Sequence, residues 1–280
     1  MQESPISAGI AIFIQNKWRR NEWMHFDRRG FLKIAGLTAL GFVAKPGWDV
    51  FSKIESSEPL PTPETFAKKK WGMAIELKKC WLEEGCKDCI DACHRIHNVP
   101  DLGTLKEEIK WIWTSPYGKI FPEHEFEYSG EEYQHKLIPV LCNHCDDPPC
   151  VRYCPTRATW KREDGIVMMD FHRCIGCRYC MAGCPYGSRS FNWREPRPFI
   201  KKVNLEFPTR TRGVVEKCNF CEERLIRGLI PACVEACKEK ALIFGDLKDP
   251  ESEIRKVLQN RVVYQRQPEL GTKPKVFYVL

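Results

Sequence analysis

The sequence predicts an α+β fold in which one small cysteine-centred unit occurs twice, with loop-rich insertions between its parts. Three observations predict it. The chain carries sixteen cysteines in four groups of four, and every group ends in the spacing C-x3-C. Short β-prone segments, rather than long amphipathic helices, flank and join the groups. The remaining composition is that of an ordinary globular chain: 280 residues, 43% hydrophobic and 29% charged. No apolar run reaches the ~18 residues a membrane span requires, so the chain crosses no membrane by itself.

The elements are taken in chain order. Residues 1–44 read as a twin-arginine signal region: Asp27-Arg28-Arg29-Gly30-Phe31-Leu32-Lys33 precedes a modest apolar stretch, Ile34 to Ala44. That stretch is too short and too rich in Gly and Ala to span. The bland alternative is a basic-tipped helix opening a globular domain. Export of an already folded protein suits a chain that must acquire oxygen-sensitive groups first. The leader before the arginines is long, and Met24 stands three residues before Asp27, which suggests translation starting there. Residues 45–71 are rich in Pro, Ser and charge and read as a linker.

The folded body is expected over 72–280. Its first cysteine group is Cys80, Cys86, Cys89 and Cys93; the second is Cys142, Cys145, Cys150 and Cys154. The third is Cys174, Cys177, Cys180 and Cys184, and the fourth Cys218, Cys221, Cys233 and Cys237. No cysteine is left over. Group three, CIGCRYCMAGCP, is the bacterial ferredoxin run C-x2-C-x2-C-x3-C-P. Three thiolates of one tight loop hold one cube of a [4Fe-4S] cluster, with loop N–H groups pointing at the sulfides. The fourth thiolate faces away and ligates a neighbouring cluster, so groups come in exchanging pairs. Four groups then make two ferredoxin-like two-cluster units and four [4Fe-4S] clusters. Zinc also uses C-x2-C pairs, but it does not explain the recurring C-x3-C ending. A disulfide framework fits such close neighbours poorly.

Segments between the groups agree. Ala158 to Lys161, Arg162 to Gly165 and Ile166 to Asp170 read as strand, turn and strand. Ala74 to Leu77 before Cys80, and Ala241 to Gly245 after Cys237, read as strands in matching places, giving the βαβ pattern. Glu251 to Leu258 reads as a short helix behind Asp249-Pro250. One unit is therefore expected from 72–93 plus 218–245, the other from 138–190, with an insert over 94–137 and a C-terminal tail over 259–280. Trp111, Trp113, Tyr117 and Phe121, in and around the insert, read as packing or a partner interface. His94 and His144 adjoin cysteines but are not expected as ligands where sixteen thiolates are present. Glu83 and Glu84 read as solvated surface. No nucleophile–base constellation, Walker loop or Rossmann fingerprint occurs, so no catalytic residue and no direct small-molecule substrate are expected.

The net charge of +7 is no argument for nucleic acid. Without residues 1–44 it falls to +4, and four oxidised clusters with four thiolates each would add about −2 apiece.

On CNHCDDPPCVRYCP, DGIVMMDFHRCIGCRYCMAGCPYGSR, KCNFCEERLIRGLIPACVEAC and the ending PELGTKPKVFYVL, the chain resembles the four-cluster, ferredoxin-like electron-transfer subunits of respiratory membrane oxidoreductases. The resemblance covers about residues 72–280. Within that group it most resembles the exported iron–sulfur subunit of the heterodisulfide-reductase-like menaquinol oxidoreductase that accompanies dissimilatory sulfite reductase. The resemblance implies that groups one and four exchange their last cysteines, as do two and three. Cluster 1 would be held by Cys80, Cys86, Cys89 and Cys237, and cluster 2 by Cys93, Cys218, Cys221 and Cys233. Cluster 3 would take Cys142, Cys145, Cys150 and Cys184, and cluster 4 Cys154, Cys174, Cys177 and Cys180. No other metal ligand is implied.

It also implies an integral-membrane quinone-binding partner, with a multihaem cytochrome c and further iron–sulfur subunits as additional partners, on the outer face of the cytoplasmic membrane. The function implied is single-electron relay in a menaquinol oxidoreductase of sulfur or sulfate respiration. The alternative is the equivalent subunit of a molybdopterin reductase of polysulfide or tetrathionate type. A zinc-stabilised binding module is the third, non-redox reading. The apolar ending Phe277–Leu280, with the export signal, points to an assembled partner rather than a free polyferredoxin. Two departures stand out: five residues separate Cys80 from Cys86 where two are usual, and His94 and Lys238 replace the prolines seen at Pro155 and Pro185. Both fall in the one–four unit, which is therefore expected to hold the cluster of unusual potential.

Overall fold

The computed structural model describes residues 68–124 and 133–280. The twin-arginine region, the linker up to residue 67 and the Met24 start lie outside the described residues, as do residues 125–132 of the insert. The elements in chain order are β1 (Trp71–Glu76), α1 (Leu77–Cys80), α2 (Asp88–Ile96), β2 (Ile112–Pro116), α3 (Tyr117–Ile120), β3 (Leu137–Leu141), α4 (Pro149–Arg152), β4 (Thr159–Lys161) and β5 (Val167–Met169). They continue with α5 (Tyr179–Ala182), β6 (Ser190–Phe191), β7 (Val215–Glu216), α6 (Glu222–Leu225), α7 (Ala232–Glu235), β8 (Leu242–Asp246), α8 (Glu253–Asn260), β9 (Val263–Tyr264) and β10 (Val276–Val279). Most helices are single turns and the strands are short, so the fold is α+β.

A four-stranded sheet in the order β8-β1-β10-β9 forms the base. β1 is buried along nearly its whole length because it is covered on both faces. It pairs antiparallel with β8, placing Ile75 opposite Leu242, and parallel with β10, placing Ile75 opposite Tyr278. One face packs Ala74, Ile243 and Val279 against Ile254 of α8. The other sends Met73, Ile75, Leu242 and Tyr278 into the main core with Trp111, Phe121 and Phe220. Each fully buried side chain of this size contributes about 1.5–3 kcal/mol.

The expected strands at 74–77 and 241–245 are thus neighbours in one sheet. The first ends at Glu76, since Leu77 already opens the turn that delivers Cys80. Thr159 to Lys161 and Val167 to Met169 pair as the expected hairpin, with Lys161 opposite Val167. Its turn closes through Gly165 N–H to the Arg162 carbonyl (3.0 Å), Gly165 taking φ +83°. The helix expected at 251–258 runs over Glu253–Asn260, because Asp249 holds the preceding residues in a turn through the Glu251 N–H (2.9 Å).

The ending Phe277–Leu280 requires correction. It does not form a partner surface: β10 lies inside the sheet, with Val276, Tyr278 and Val279 almost wholly buried. An apolar strand at a chain end fills the space between β1 and β9. The aromatic group of the insert is likewise packing. Trp111, Tyr117 and Phe121 are buried, and β2 joins the insert to β3 in a two-stranded pair.

Candidate metal centres

Three of the four cysteine groups share one local conformation. Cys150, Cys180 and Cys233 each sit in a single helical turn, α4, α5 and α7, and the last cysteine lies just past it. Three residues further on, Arg157, Gly187 and Lys240 turn left-handed (φ +53°, +61° and +49°). Their N–H groups return to the carbonyls of Cys154, Cys184 and Cys237. Group one differs. α2 continues past Cys93 to Ile96, and Cys89 and Cys93 lie one helical turn apart on it.

These turns gather the sixteen thiols, all of them free, into four sets. Cys142, Cys145, Cys150 and Cys184 line one cavity, here site 3, and Cys154, Cys174, Cys177 and Cys180 line another, site 4. At site 1, burial pushes the Cys89 thiol up to about 12, and charge on Cys80, Cys237 and Cys86 adds to the rise. Burial also raises Cys80 to about 11, followed by charge on Cys237 and Cys86. At site 2, burial first and then the thiolates of Cys221, Cys218 and Cys233 push Cys93 well above the ordinary thiol range. Each set takes three cysteines from one group and one from the end of another.

The sites form a succession. Cys89 of site 1 and Cys93 of site 2 share α2, and Cys233 of site 2 feels Cys89. Cys218 of site 2 feels Cys142 of site 3, and Cys180 of site 4 feels Cys150 of site 3. Four thiols that oppose one another's ionisation in partly buried sets are a donor array suited to a soft, thiophilic cation. Sulfur-only donors disfavour magnesium and calcium and leave zinc or iron–sulfur clusters.

Comparison with known proteins decides between these. A family model described as a 4Fe-4S dicluster domain matches residues 133–208 and 202–247. The "Hdr-like menaquinol oxidoreductase iron-sulfur subunit 1" of Archaeoglobus fulgidus is 42% identical over 273 residues, covering 90% of this chain and 97% of that one. The chain belongs to the 4Fe-4S dicluster family of oxidoreductase iron–sulfur subunits. The "Menaquinone reductase, iron-sulfur cluster-binding subunit" of Nitratidesulfovibrio vulgaris is 36% identical, covering 76% of this chain and 89% of that one. A subunit of the tetrathionate reductase of Salmonella typhimurium is 39% identical, covering 76% and 73%.

In this iron–sulfur subunit, N–H groups point at cysteine sulfurs of the four sets, the arrangement that cluster loops use. Ala241 N–H donates to Cys237 Sγ (3.2 Å), Phe220 N–H to Cys218 Sγ (3.4 Å) and Ala232 N–H to Cys221 Sγ (3.4 Å). Burial opposes ionisation of Cys154, yet the N–H groups of Thr159, Ala158 and Thr156 and the Thr156 hydroxyl hold its thiol below the usual range. Cys80, despite its long gap, joins Cys86, Cys89 and Cys237: the extra residues 82–85 are exposed, and Gly85 (φ +75°) takes the left-handed turn before Cys86. Lys238, in one missing-proline position, pairs with Asp88 at 2.9 Å.

His94 donates Nε2–H to the Ile112 carbonyl of the insert (3.2 Å) and stays outside the thiol sets. His144 is fully buried, accepts the Val167 N–H through Nδ1 (3.0 Å) and stacks on Phe220. Reading the sequence missed four residues near the sites. Arg189 donates Nη2–H to Cys150 Sγ (3.1 Å), and Thr272 reaches Cys145 from the tail. Buried Lys217 donates to the Cys218 carbonyl (2.7 Å) between sites 2 and 3. His97 donates Nδ1–H to the Cys93 carbonyl (2.9 Å) and meets Glu223 at 3.0 Å. Arg189 follows Cys184 by five residues and Lys217 directly precedes Cys218, both in motif-bearing stretches that carried a signal; Thr272 reaches site 3 only through long-range packing.

Proposed function

We propose that this chain relays single electrons through four [4Fe-4S] clusters within a membrane-bound menaquinol oxidoreductase. Sites 1 to 4 hold the clusters, each through its four cysteines, and the two pairs of sites correspond to two ferredoxin-like units. The observation that carries the reading is the succession of thiol sets, each sharing a helix, a charge or a side chain with the next. When bound, a [4Fe-4S] cluster supplies one-electron exchange. The chain's own residues hold the thiolates, exclude water from Cys93, Cys218, Cys221 and Cys233, and direct N–H groups at sulfur.

An exposed apolar collar at site 4 supports an assembled partner. Ile175 and Tyr179 stand on the ligand loop itself, Tyr153 packs over Gly183, and Arg178 lies on the face of Trp193 (4.7 Å). Exposed apolar patches of this kind mark contact with other proteins. The partner proposed is an integral-membrane quinone-binding protein, accompanied by a multihaem cytochrome c. Among the described residues no helix is long and apolar enough to cross a membrane. The proposed address is the outer face of the cytoplasmic membrane, by way of the twin-arginine pathway, in sulfur or sulfate respiration.

The similarity to the tetrathionate reductase protein favours a second reading, relay to a molybdopterin subunit. Purification of the native complex tests the choice. Haem without molybdenum is expected; stoichiometric molybdenum moves the assignment to the second reading.

A further inference from the structure

We infer that Arg189 sets the reduction potential of the clusters at sites 3 and 4, raising both and site 3 the more. The inference rests on reading these thiol sets as cluster ligands. Arg189 is 4% exposed. Its Nη2 donates to Cys150 Sγ of site 3 (3.1 Å) and to the Thr159 hydroxyl (3.0 Å), and its Nη1 lies 3.6 Å from Met169 Sδ. Cys180 of site 4 and Cys142 of site 3 are also within its field. The guanidinium therefore stands between the two cavities.

Among the described residues no carboxylate pairs with Arg189, whereas the equally buried Arg210 has Glu216 at 2.5 Å. A buried guanidinium without a carboxylate is costly unless another anion compensates it. Burial opposes its charge, but Cys150, Cys180 and Cys142 more than offset that and favour the cation. The thiolates are its counter-ions.

At the other pair of sites, among the described residues, no guanidinium donates to a cysteine sulfur; the buried Lys217, between sites 2 and 3, donates to the backbone carbonyls of Val167 and Cys218 instead. Arg189 lies five residues after Cys184, and the residue five after Cys237 is Leu242, buried in the sheet. There, after burial and the neighbouring thiolates, the nearby charges are mixed: Lys217 favours the Cys218 thiolate and Arg224 that of Cys221, while Glu223 opposes both. Reduction adds one negative charge to a cluster. A fixed positive charge in a low-dielectric gap, with a hydrogen bond to a ligand sulfur, favours that reduced state. The donor to Cys150 makes the effect larger at site 3 than at site 4.

The test is an EPR-monitored redox titration of anaerobically purified holoprotein, wild type beside R189Q and R189K, with iron counted in each. In R189Q, an N–H donor remains but the charge is gone. Two of the four midpoints should fall by about tenfold or more in the reduction equilibrium, about 59 mV for one electron, and the other two should stay. R189K, which keeps the charge and loses the fork, should shift the same two midpoints less. Four unmoved midpoints, or four that move together, overturn the inference. Where R189Q loses iron, R189K carries the test: the same two midpoints fall by about twofold or more, and no movement overturns it. Failure of the ligand reading itself is distinguishable, because the wild-type protein would then lack four clusters.

Discussion

Glu216 is a wholly buried carboxylate held by three donors: Trp111 Nε1 at 2.9 Å, Asn192 Nδ2 at 2.6 Å and Arg210 Nη2 at 2.5 Å. It stands two residues before Cys218, so its anchorage also fixes the start of the site 2 loop. E216Q leaves the Arg210 guanidinium buried without its counter-ion, which costs about 3–5 kcal/mol. A fall in the thermal midpoint of the holoprotein, with site 2 losing iron first, is the expected outcome. W111F keeps the ring and deletes one donor, at about 1–3 kcal/mol, and should lower the midpoint by less. Trp111 was legible as packing or a partner interface, and its complete burial decides for packing. Its partner was not, since Trp111 and Glu216 lie 105 positions apart and neither carries a local signal of the other.

At the scale of elements, the ligand loops depend on backbone that only some residues tolerate. Gly176, inside the site 4 loop, has φ +69°, and a Cβ there would stand 2.3 Å from the Gly213 carbonyl oxygen. G176A should therefore displace the Cys174–Cys177 loop and remove one cluster, about four of sixteen irons, with the other three signals retained. An unchanged iron content would show that the loop can shift at no cost. The run CIGCRYC announced this loop, and the strand–turn–strand at 159–169 followed from its alternation and Gly165. The approach of Gly213 was not legible, because it comes from a chain segment with no periodicity of its own. The extension of α2 past Cys93 was not legible either, because Lys238 equally replaces a proline and yet α7 ends before Cys237.

Across the whole molecule, the chain end fastens the body together. β10 is the parallel partner of β1. Its preceding residues bond to the site 3 loop, through Asp146 N–H to the Lys273 carbonyl (3.0 Å), Asp147 N–H to Thr272 (3.0 Å) and Lys275 N–H to Asn143 (2.9 Å). Deleting residues 271–280 should therefore cost both the sheet and site 3. The expected product is a protein recovered with depleted iron or as aggregate, read by iron analysis after size-exclusion chromatography. The sequence marked the ending as distinctive, but an apolar strand looks alike whether it meets a partner or its own core. The four cysteine groups were legible throughout, because ligand spacing is a local constraint. Their neighbouring aromatic core and buried cations depend on contacts that spacing does not encode.

The most direct test of the relay reading is iron and acid-labile sulfide per chain in anaerobically purified protein, with EPR after dithionite. The account predicts about sixteen of each and interacting signals from four reduced clusters. Zinc with no sulfide would contradict it outright.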